Sequence, residues 1–328
     1  MIAEEFWMHR ALQLAALGLG KVQPNPLVGA VIVHNESIIG EGYHPQYGAP
    51  HAEVHAINSV KNQELLKQST LYVNLEPCSH FGKTPPCASL IIEKQIPKVV
   101  VGMTDPNEKV NGKGIKMLKD AGIEVIEDVL KDECLRLNKR FITFHKEKRP
   151  YIFLKWAQTK NGFMDIIRTD KTSPAQTYWI TNESLRVWAH KMRNEEQAIL
   201  IGYNTFINDN PQLTNRLYGS NQPKRFVWCD KNKPKEIDNV FFTLSGDIKE
   251  VLNQLYTLQI QSVIVEGGKK TIQTFLEANL WDEAFVLTGN VEWAAGIDAP
   301  KLPSIFDNKI DIDGETITHY EKHVTLST

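Results

Sequence analysis

The sequence predicts a two-domain α/β protein, and three observations carry that expectation. The chain has 328 residues, about twice the length of a common single domain. Short β-branched apolar runs alternate with helical patterns in both halves. A charged stretch ending in proline, HKEKRP at 145–150, interrupts the alternation and divides a domain at 1–146 from one at 147–328.

In the first half, MIAEEFWMHRALQLAALGLG reads as an amphipathic helix, with two glutamates where a secretory signal would be basic. Strands are expected at 27–33 (LVGAVIV), 70–75 (TLYVNL) and 98–103 (KVVVGM). Helical patterns at about 52–61, 87–95 and 113–121, the last stopped by Gly122, lie between and after them. A helix over about 130–144 completes a sheet covered on both faces. The second half repeats the alternation, with strands at 151–157, 198–203, 225–230, 262–268 and 283–289 and helices at about 181–194 and 270–279. Its final segment, IDIDGETIT, reads as a hairpin turning at Asp313-Gly314.

Composition narrows the function. Hydrophobic residues make up 42% and charged residues 23%, and no run approaches the ~18 apolar residues of a membrane span. Net charge is −2 and no Lys/Arg cluster forms a nucleic-acid footprint. A cytoplasmic protein acting on small molecules is expected, with neither membrane nor nucleic acid as partner. Four cysteines without a signal peptide argue against a disulfide framework, so a clustered pair is better used for metal or catalysis. Cys134 and Cys229 are isolated and read as inert thiols.

Cys78 and Cys87 are the clustered pair, in PCSHFGKTPPC. Upstream, HAEVHA places His51 two residues before Glu53 at a helix start. One imidazole and two thiolates are a common ligand set for a catalytic zinc that keeps its fourth position for water. A carboxylate that does not ligate can then move the proton to a leaving amine. His-x-Glu followed by Pro-Cys and a second Cys is the pattern of zinc nucleobase deaminases. His55 and His80 compete as ligands; His55 lies one helical turn behind His51, and His80 is better placed for substrate.

Eight residues separate the two cysteines, where the common deaminase pattern has two. With that gap, the stretches NPLVGAVIV (25–33), GEGYHPQYGAPHAEVHA (40–56), YVNLEPCSHFGKTPPC (72–87) and TDPNEKVNGKGI (104–115) make the first half resemble one particular family. It is the bifunctional riboflavin-biosynthesis family, a diaminohydroxyphosphoribosylaminopyrimidine deaminase fused to a 5-amino-6-(5-phosphoribosylamino)uracil reductase. RPYIFLKWAQTKNG, WITNESLR, IGYNTFINDNPQLTNR and VEGG carry the resemblance into the second half. Two departures stand out: Lys160-Asn161-Gly162 where the family has Leu-Asp-Gly, and Asp209-Asn210-Pro211 where it has Asp-Asp-Pro.

The resemblance implies a cytidine-deaminase-like α/β/α domain followed by a dihydrofolate-reductase-like α/β domain, with one zinc ion, NADPH, and a homo-oligomer formed through the reductase half. His51, Cys78 and Cys87 would hold zinc, and Glu53 would be the proton shuttle. Asn25, His44, His80, Lys83 and Asn107 would meet a phosphorylated pyrimidine. In the second half no G-x-G-x-x-G follows the first strand, which leaves a Rossmann site unsupported. The Gly267-Gly268 turn before a helix suits a pyrophosphate, though by itself such a pair is more often a plain turn. By resemblance, Ala157, Trp179, Thr205, Asp209 and the run Gly268, Lys269, Lys270, Thr271, Ile272, Gln273 and Thr274 would face the cofactor. Thr177, Arg193, Leu213, Arg216 and Glu266 would face the substrate, with Arg193 and Arg216 as forks for phosphate. Two other readings compete. One is a nucleoside or nucleobase deaminase with an inactive or divergent appended domain. The other is a zinc-stabilised binding module, which requires a fourth protein ligand.

Overall fold

The computed structural model describes residues 3–80, 85–106, 111–167, 178–229, 236–237, 241–302 and 307–322. Its contacts divide the chain into two compact units, Met1–Lys148 and Arg149–Thr328.

The first unit runs α1 (Ala3–Ala16), β1 (Gly29–His34), β2 (Ser37–Tyr43), α2 (Ala52–Ser59), β3 (Thr70–Val73), α3 (Cys87–Glu93), β4 (Lys98–Val101), α4 (Lys113–Asp120), β5 (Glu124–Ile126), α5 (Lys131–Leu137) and α6 (Lys139–Glu147). Its strands are ordered β2-β1-β3-β4-β5. β1 is antiparallel to both neighbours, and β3, β4 and β5 are parallel. The period-2 pattern of the apolar runs builds two cores. Ala30, Ile32, Leu71, Val73, Val99 and Val101 pack with residues of α2, α3 and α4. Val31, Val33, Tyr72 and Val100 meet α1, α5 and α6 on the other face.

Two features depart from expectation. The helix expected over 130–144 is two helices, because Asn138 leaves the helical path and its side chain binds the Leu27 peptide, accepting from the amide at 2.8 Å and donating to the carbonyl at 3.0 Å. β2 was not expected, since Gly40 and Gly42 weaken its strand signal. Those glycines let α2 lie directly on the strand: a Cβ at Gly42 would sit 2.4 Å from the Ala56 nitrogen, and one at Gly40 2.5 Å from the Ala56 carbonyl. The helix whose start carries His51 and Glu53 is thereby fixed against the sheet.

The second unit runs β6 (Tyr151–Gln158), β7 (Phe163–Asp165), α7 (Glu183–Glu195), β8 (Ala198–Gly202), α8 (Tyr203–Asp209), β9 (Lys224–Cys229), β10 (Glu236–Ile237), β11 (Phe241–Ser245), α9 (Ile248–Thr257), β12 (Ser262–Glu266), α10 (Lys269–Glu277), β13 (Glu283–Thr288), β14 (Ile297–Asp298), β15 (Asn308–Ile312) and β16 (Glu315–Glu321). Among the described residues its main sheet has the order β10-β11-β9-β8-β12-β6-β13-β16-β15. It is parallel from β11 to β13. The β15–β16 hairpin, turning at Asp313-Gly314 as expected, adds antiparallel to β13. Ile152, Leu154 and Trp156 face one core and Tyr151 and Phe153 the other. The ends of β8, β9 and β12 open onto the same side as the starts of α8 and α10, which is where a parallel α/β sheet leaves a crevice.

Candidate functional sites

The first site is assembled from three local structures. His51 is the residue before α2, in extended conformation at φ −73° and ψ 165°. Cys87 is the first residue of α3, and Cys78 lies in the turn after β3. The His51 Nδ1 atom is 3.6 Å from Cys78 Sγ and 3.4 Å from Cys87 Sγ. All three donor atoms lie within 4.8 Å of one another. A tetrahedral zinc with bonds of about 2.05 Å to nitrogen and 2.3 Å to sulfur separates such donors by about 3.6–3.8 Å. The donor set therefore fits that ion in chemistry and spacing. Neither His55 nor His80 joins the set, which leaves it with three protein ligands among the described residues.

The two cysteines are tied to each other through α3. Cys87 donates its amide to Cys78 Sγ at 3.3 Å, and Ala88 donates to the Cys78 carbonyl at 3.1 Å. Hydrogen bonding from Cys87 and then from His51 lowers the Cys78 thiol to about 4 against the effect of burial. The hydrogen bond to Cys78 and then burial hold the Cys87 proton on. Glu53, only 3% exposed, has its carboxyl raised to about 7 by burial, with the Cys78 charge adding and His51 opposing. A carboxyl poised near neutrality beside a metal set can both take and give a proton.

His44 and Asn25 meet beside this centre. The His44 Nδ1 is 3.1 Å from the Pro50 carbonyl and its Nε2 is 3.0 Å from Asn25 Nδ2. Burial lowers its pKa. The ring is thus neutral, donating from Nδ1 to Pro50 and accepting at Nε2 from the Asn25 amide. It stands edge-on to His51, ring centroids 5.5 Å apart. His80 is exposed. Lys83, Asn107 and Thr177 lie outside the described residues.

In the second unit a cleft of about 620 Å³ opens over the starts of α8 and α10. Thr205, Gly268, Lys270, Thr271 and Thr274, all expected at the cofactor, line it. Gly268 abuts Thr205, whose Oγ1 would be 2.7 Å from a Cβ there. Small residues and exposed amides at a helix start, with one lysine, suit a dinucleotide pyrophosphate. Tyr203, Asn204, Trp228, Cys229 and Gly246 also line the cleft; the parallel strand order, invisible in the sequence, brings them there. Ala157, Trp179, Asp209, Lys269 and Gln273 do not line it. Ile272 and Leu213 are buried core residues, so neither side chain is free to meet a ligand.

Arg193, expected to fork a phosphate, forks Glu266 instead, at 2.9 and 3.3 Å, and donates to the Thr214 carbonyl at 3.1 Å. Lys155 lies 3.7 Å from the same carboxylate. Burial alone would raise Glu266, but Arg193 and then Lys155 bring it down to about 2. Arg216 is exposed and positioned through its amide, which donates to His190 Nδ1 at 3.0 Å.

The departure at Asn161 has a structural reason. Asn161 Oδ1 accepts from Thr159 Oγ1 at 2.8 Å and from the Trp293 amide at 3.3 Å, while its Nδ2 donates to the Trp293 carbonyl at 2.7 Å. An aspartate could not supply that last donor. Asn210 closes α8 in the left-handed region, φ 39°, where asparagine is better tolerated than most residues.

Residues 1–103 match the cytidine and deoxycytidylate deaminase zinc-binding region, and residues 150–290 match the RibD C-terminal domain. The riboflavin biosynthesis protein RibD of Actinobacillus pleuropneumoniae is 36% identical over 98% of this chain and 90% of its own length. The chain belongs to the RibD family. RibD of Bacillus amyloliquefaciens is 41% identical over 85% of this chain and 82% of its own. A Thermotoga maritima crystal structure, a diaminohydroxyphosphoribosylaminopyrimidine deaminase/5-amino-6-(5-phosphoribosylamino)uracil reductase, superposes with a TM-score of 0.86 at 37% identity, covering 97% of this chain and 98% of that one. Acinetobacter baumannii RibD gives 0.85 at 30% identity, with the same coverages. As a RibD, the chain is a bifunctional riboflavin-biosynthesis enzyme, with a zinc deaminase domain followed by an NADPH-using reductase domain. Among the described residues no helix is long and apolar enough to cross a membrane.

Proposed function

We propose that residues 1–146 hydrolytically remove the 2-amino group of 2,5-diamino-6-ribosylamino-4(3H)-pyrimidinone 5′-phosphate, and that residues 147–328 then reduce the ribosyl chain to ribityl with NADPH. The observation that carries the first step is the three-donor set with a buried carboxyl, Glu53, next to it. His51, Cys78 and Cys87 would hold the zinc, which would supply Lewis-acid activation of water at neutral pH. Glu53, the buried carboxyl beside the donor set, would take the proton of the attacking water and deliver it to the departing amine. His44, kept neutral, orients the Asn25 amide toward the pyrimidine; His80, Lys83 and Asn107 complete the substrate contacts.

In the reductase half, NADPH supplies the hydride. Thr205 and the start of α10 hold its pyrophosphate, with Lys270 the cation within the cleft. Ala157, Trp179 and Asp209 extend the cofactor contact, and Thr177, Arg216 and the Arg193–Glu266 pair serve the substrate. No side chain there needs to act as a strong acid or base if positioning carries the transfer. The enzyme works in the cytoplasm on a small phosphorylated pyrimidine, as a homo-oligomer formed through the reductase half, without nucleic acid.

The test is to supply purified protein with the diaminopyrimidinone ribotide and to follow ammonia release and NADPH oxidation separately. Ammonia without NADPH, and NADPH oxidation only after deamination, are the expected results. Absence of ammonia release by the zinc-loaded enzyme would sink the deaminase assignment.

A further inference from the structure

Thr205 and the start of α10, proposed above for the pyrophosphate, follow β8 and β12, which are neighbours in the sheet. An extended dinucleotide centred there sends one nucleoside over β6 and the other over β9 and β11, since neighbouring strands are about 4.8 Å apart. The two directions differ in chemistry. On the β6 side Lys155, Glu266 and Arg193 form the buried charge cluster proposed for the substrate, so the hydride-bearing nicotinamide must turn that way. The adenosine therefore lies over the ends of β9 and β11.

Among the described residues two aromatic side chains line the cleft, Tyr203 and Trp228. Tyr203 packs against the core on one face of the sheet, beside Phe206. Trp228, near the end of β9, packs against the core on the other face, the one that carries α10. Its ring stands edge-on to Phe275, centroids 6.0 Å apart at 81°. Its Nε1 donates to the Gly246 carbonyl at 3.0 Å, next to the capped start of α9. Packing and a hydrogen bond thus hold the indole in place, with its one polar atom already used. The rest of the half-buried ring lines the cleft. Thr274, which lines it from α10, spends its hydroxyl on the Lys270 carbonyl at 2.9 Å. A fixed indole whose donor is spent offers a base stacking and not hydrogen-bonded readout.

We propose that Trp228 is the adenine platform of the reductase: the cofactor's adenine stacks on the indole, and the fixed ring sets where the adenosine half lies relative to the pyrophosphate at α8 and α10. This rests on the cleft being the NADPH site proposed above. The contact is remote from the reacting carbon and is made equally in the ground and transition states, so it contributes to binding and not to the hydride step.

The experiment measures, by calorimetry on full-length, zinc-loaded protein, the binding of NADP+ and of adenosine 2′,5′-bisphosphate, which carries the adenine without the nicotinamide. Trp228→Leu keeps an apolar side chain against the core and removes the aromatic face. It is expected to weaken both ligands by the same factor, about tenfold, as loss of one base–aromatic stack requires. Trp228→Phe should stay within about threefold of wild type. The KM for NADPH should follow the binding loss, with kcat within about threefold. Retained affinity for the bisphosphate in Trp228→Leu overturns the platform. So does a Phe variant as weak as the Leu variant, because the indole would then serve packing alone. Lys270→Ala separates this proposal from the reading beneath it. If it weakens NADP+ while Trp228→Leu does not, only the adenine placement falls; if neither variant changes NADP+ affinity, the cleft is not the dinucleotide site and both fall.

Discussion

Glu53 and Glu266 are both fully buried acids, and their neighbours send them in opposite directions. Burial, with the Cys78 charge adding, raises Glu53 to about 7, whereas Arg193 and Lys155 overcome burial and bring Glu266 down to about 2. On the proposed mechanism the first moves the proton, and Glu53→Gln is expected to slow ammonia release by about 10²–10⁴-fold, with reduction of the deaminated intermediate unaffected. Normal ammonia release by that variant would remove Glu53 from the reaction. The second is built for holding charge. Because the folded-state pKa of Glu266 lies below its ordinary 4.5, its contribution is complete above pH 4.5 and is lost as pH falls toward 2. It amounts to about 3 kcal/mol. Urea unfolding of the second unit across that range should show the loss in wild type and not in Glu266→Gln. At neutral pH the variant should be about 3–5 kcal/mol less stable, since two buried cations lose the carboxylate that neutralises them. An equal acid slope in both proteins would show that the charge cluster does not control acid stability.

At the scale of elements, strands were legible where their apolar runs are buried on both faces, as in LVGAVIV and SVIVEGG, because nothing polar interrupts the signal. β2 was obscured by the two glycines that let α2 approach it. α9 has a local start signal: Asp247 accepts from the Glu250 amide at 2.9 Å and Glu250 accepts from that of Asp247 at 2.9 Å, a capping box. The break at Asn138 could not be read locally, since its partner, Leu27, is more than a hundred residues away. The metal ligands were readable because residue type and helix starts specify them together. The cleft over α8 and α10 was only half readable, for Trp228, Cys229 and Gly246 reach it through strand order. The turn at 159–162 gives a test at this scale. Lys160 donates its amide to the Val291 carbonyl at 2.9 Å and Asn161 pairs with the Trp293 peptide. Asn161→Asp removes a donor and sets two oxygens against each other. A cost of about 1 kcal/mol is expected for this exposed pair, read as a lower Tm of the second unit. An unchanged Tm would mean that the amide is not what holds the two segments together.

For the molecule as a whole, each unit has its own cores and its own cofactor. Ligand linkage should therefore act on one unit at a time. In calorimetry, zinc removal by a chelator is expected to lower the transition of the deaminase unit and leave the other in place. NADPH at about a hundred times its Kd should stabilise only the reductase unit, by about 2.7 kcal/mol. A single transition that responds equally to both would contradict this.

The contact between the two cysteines has a consequence for engineering. Cys78 and Cys87 are held by the Cys87 amide and by the Cys78 carbonyl bound to Ala88, ties that run through the ligands and the start of α3. The spacing of the metal donors is thus set by helix geometry and not by the number of residues threaded between them. With His80 and Lys83 meeting the substrate as proposed, a segment of different length or sequence grafted between Ser79 and Pro86 is expected to change which substrate the enzyme accepts before it changes which metal it holds.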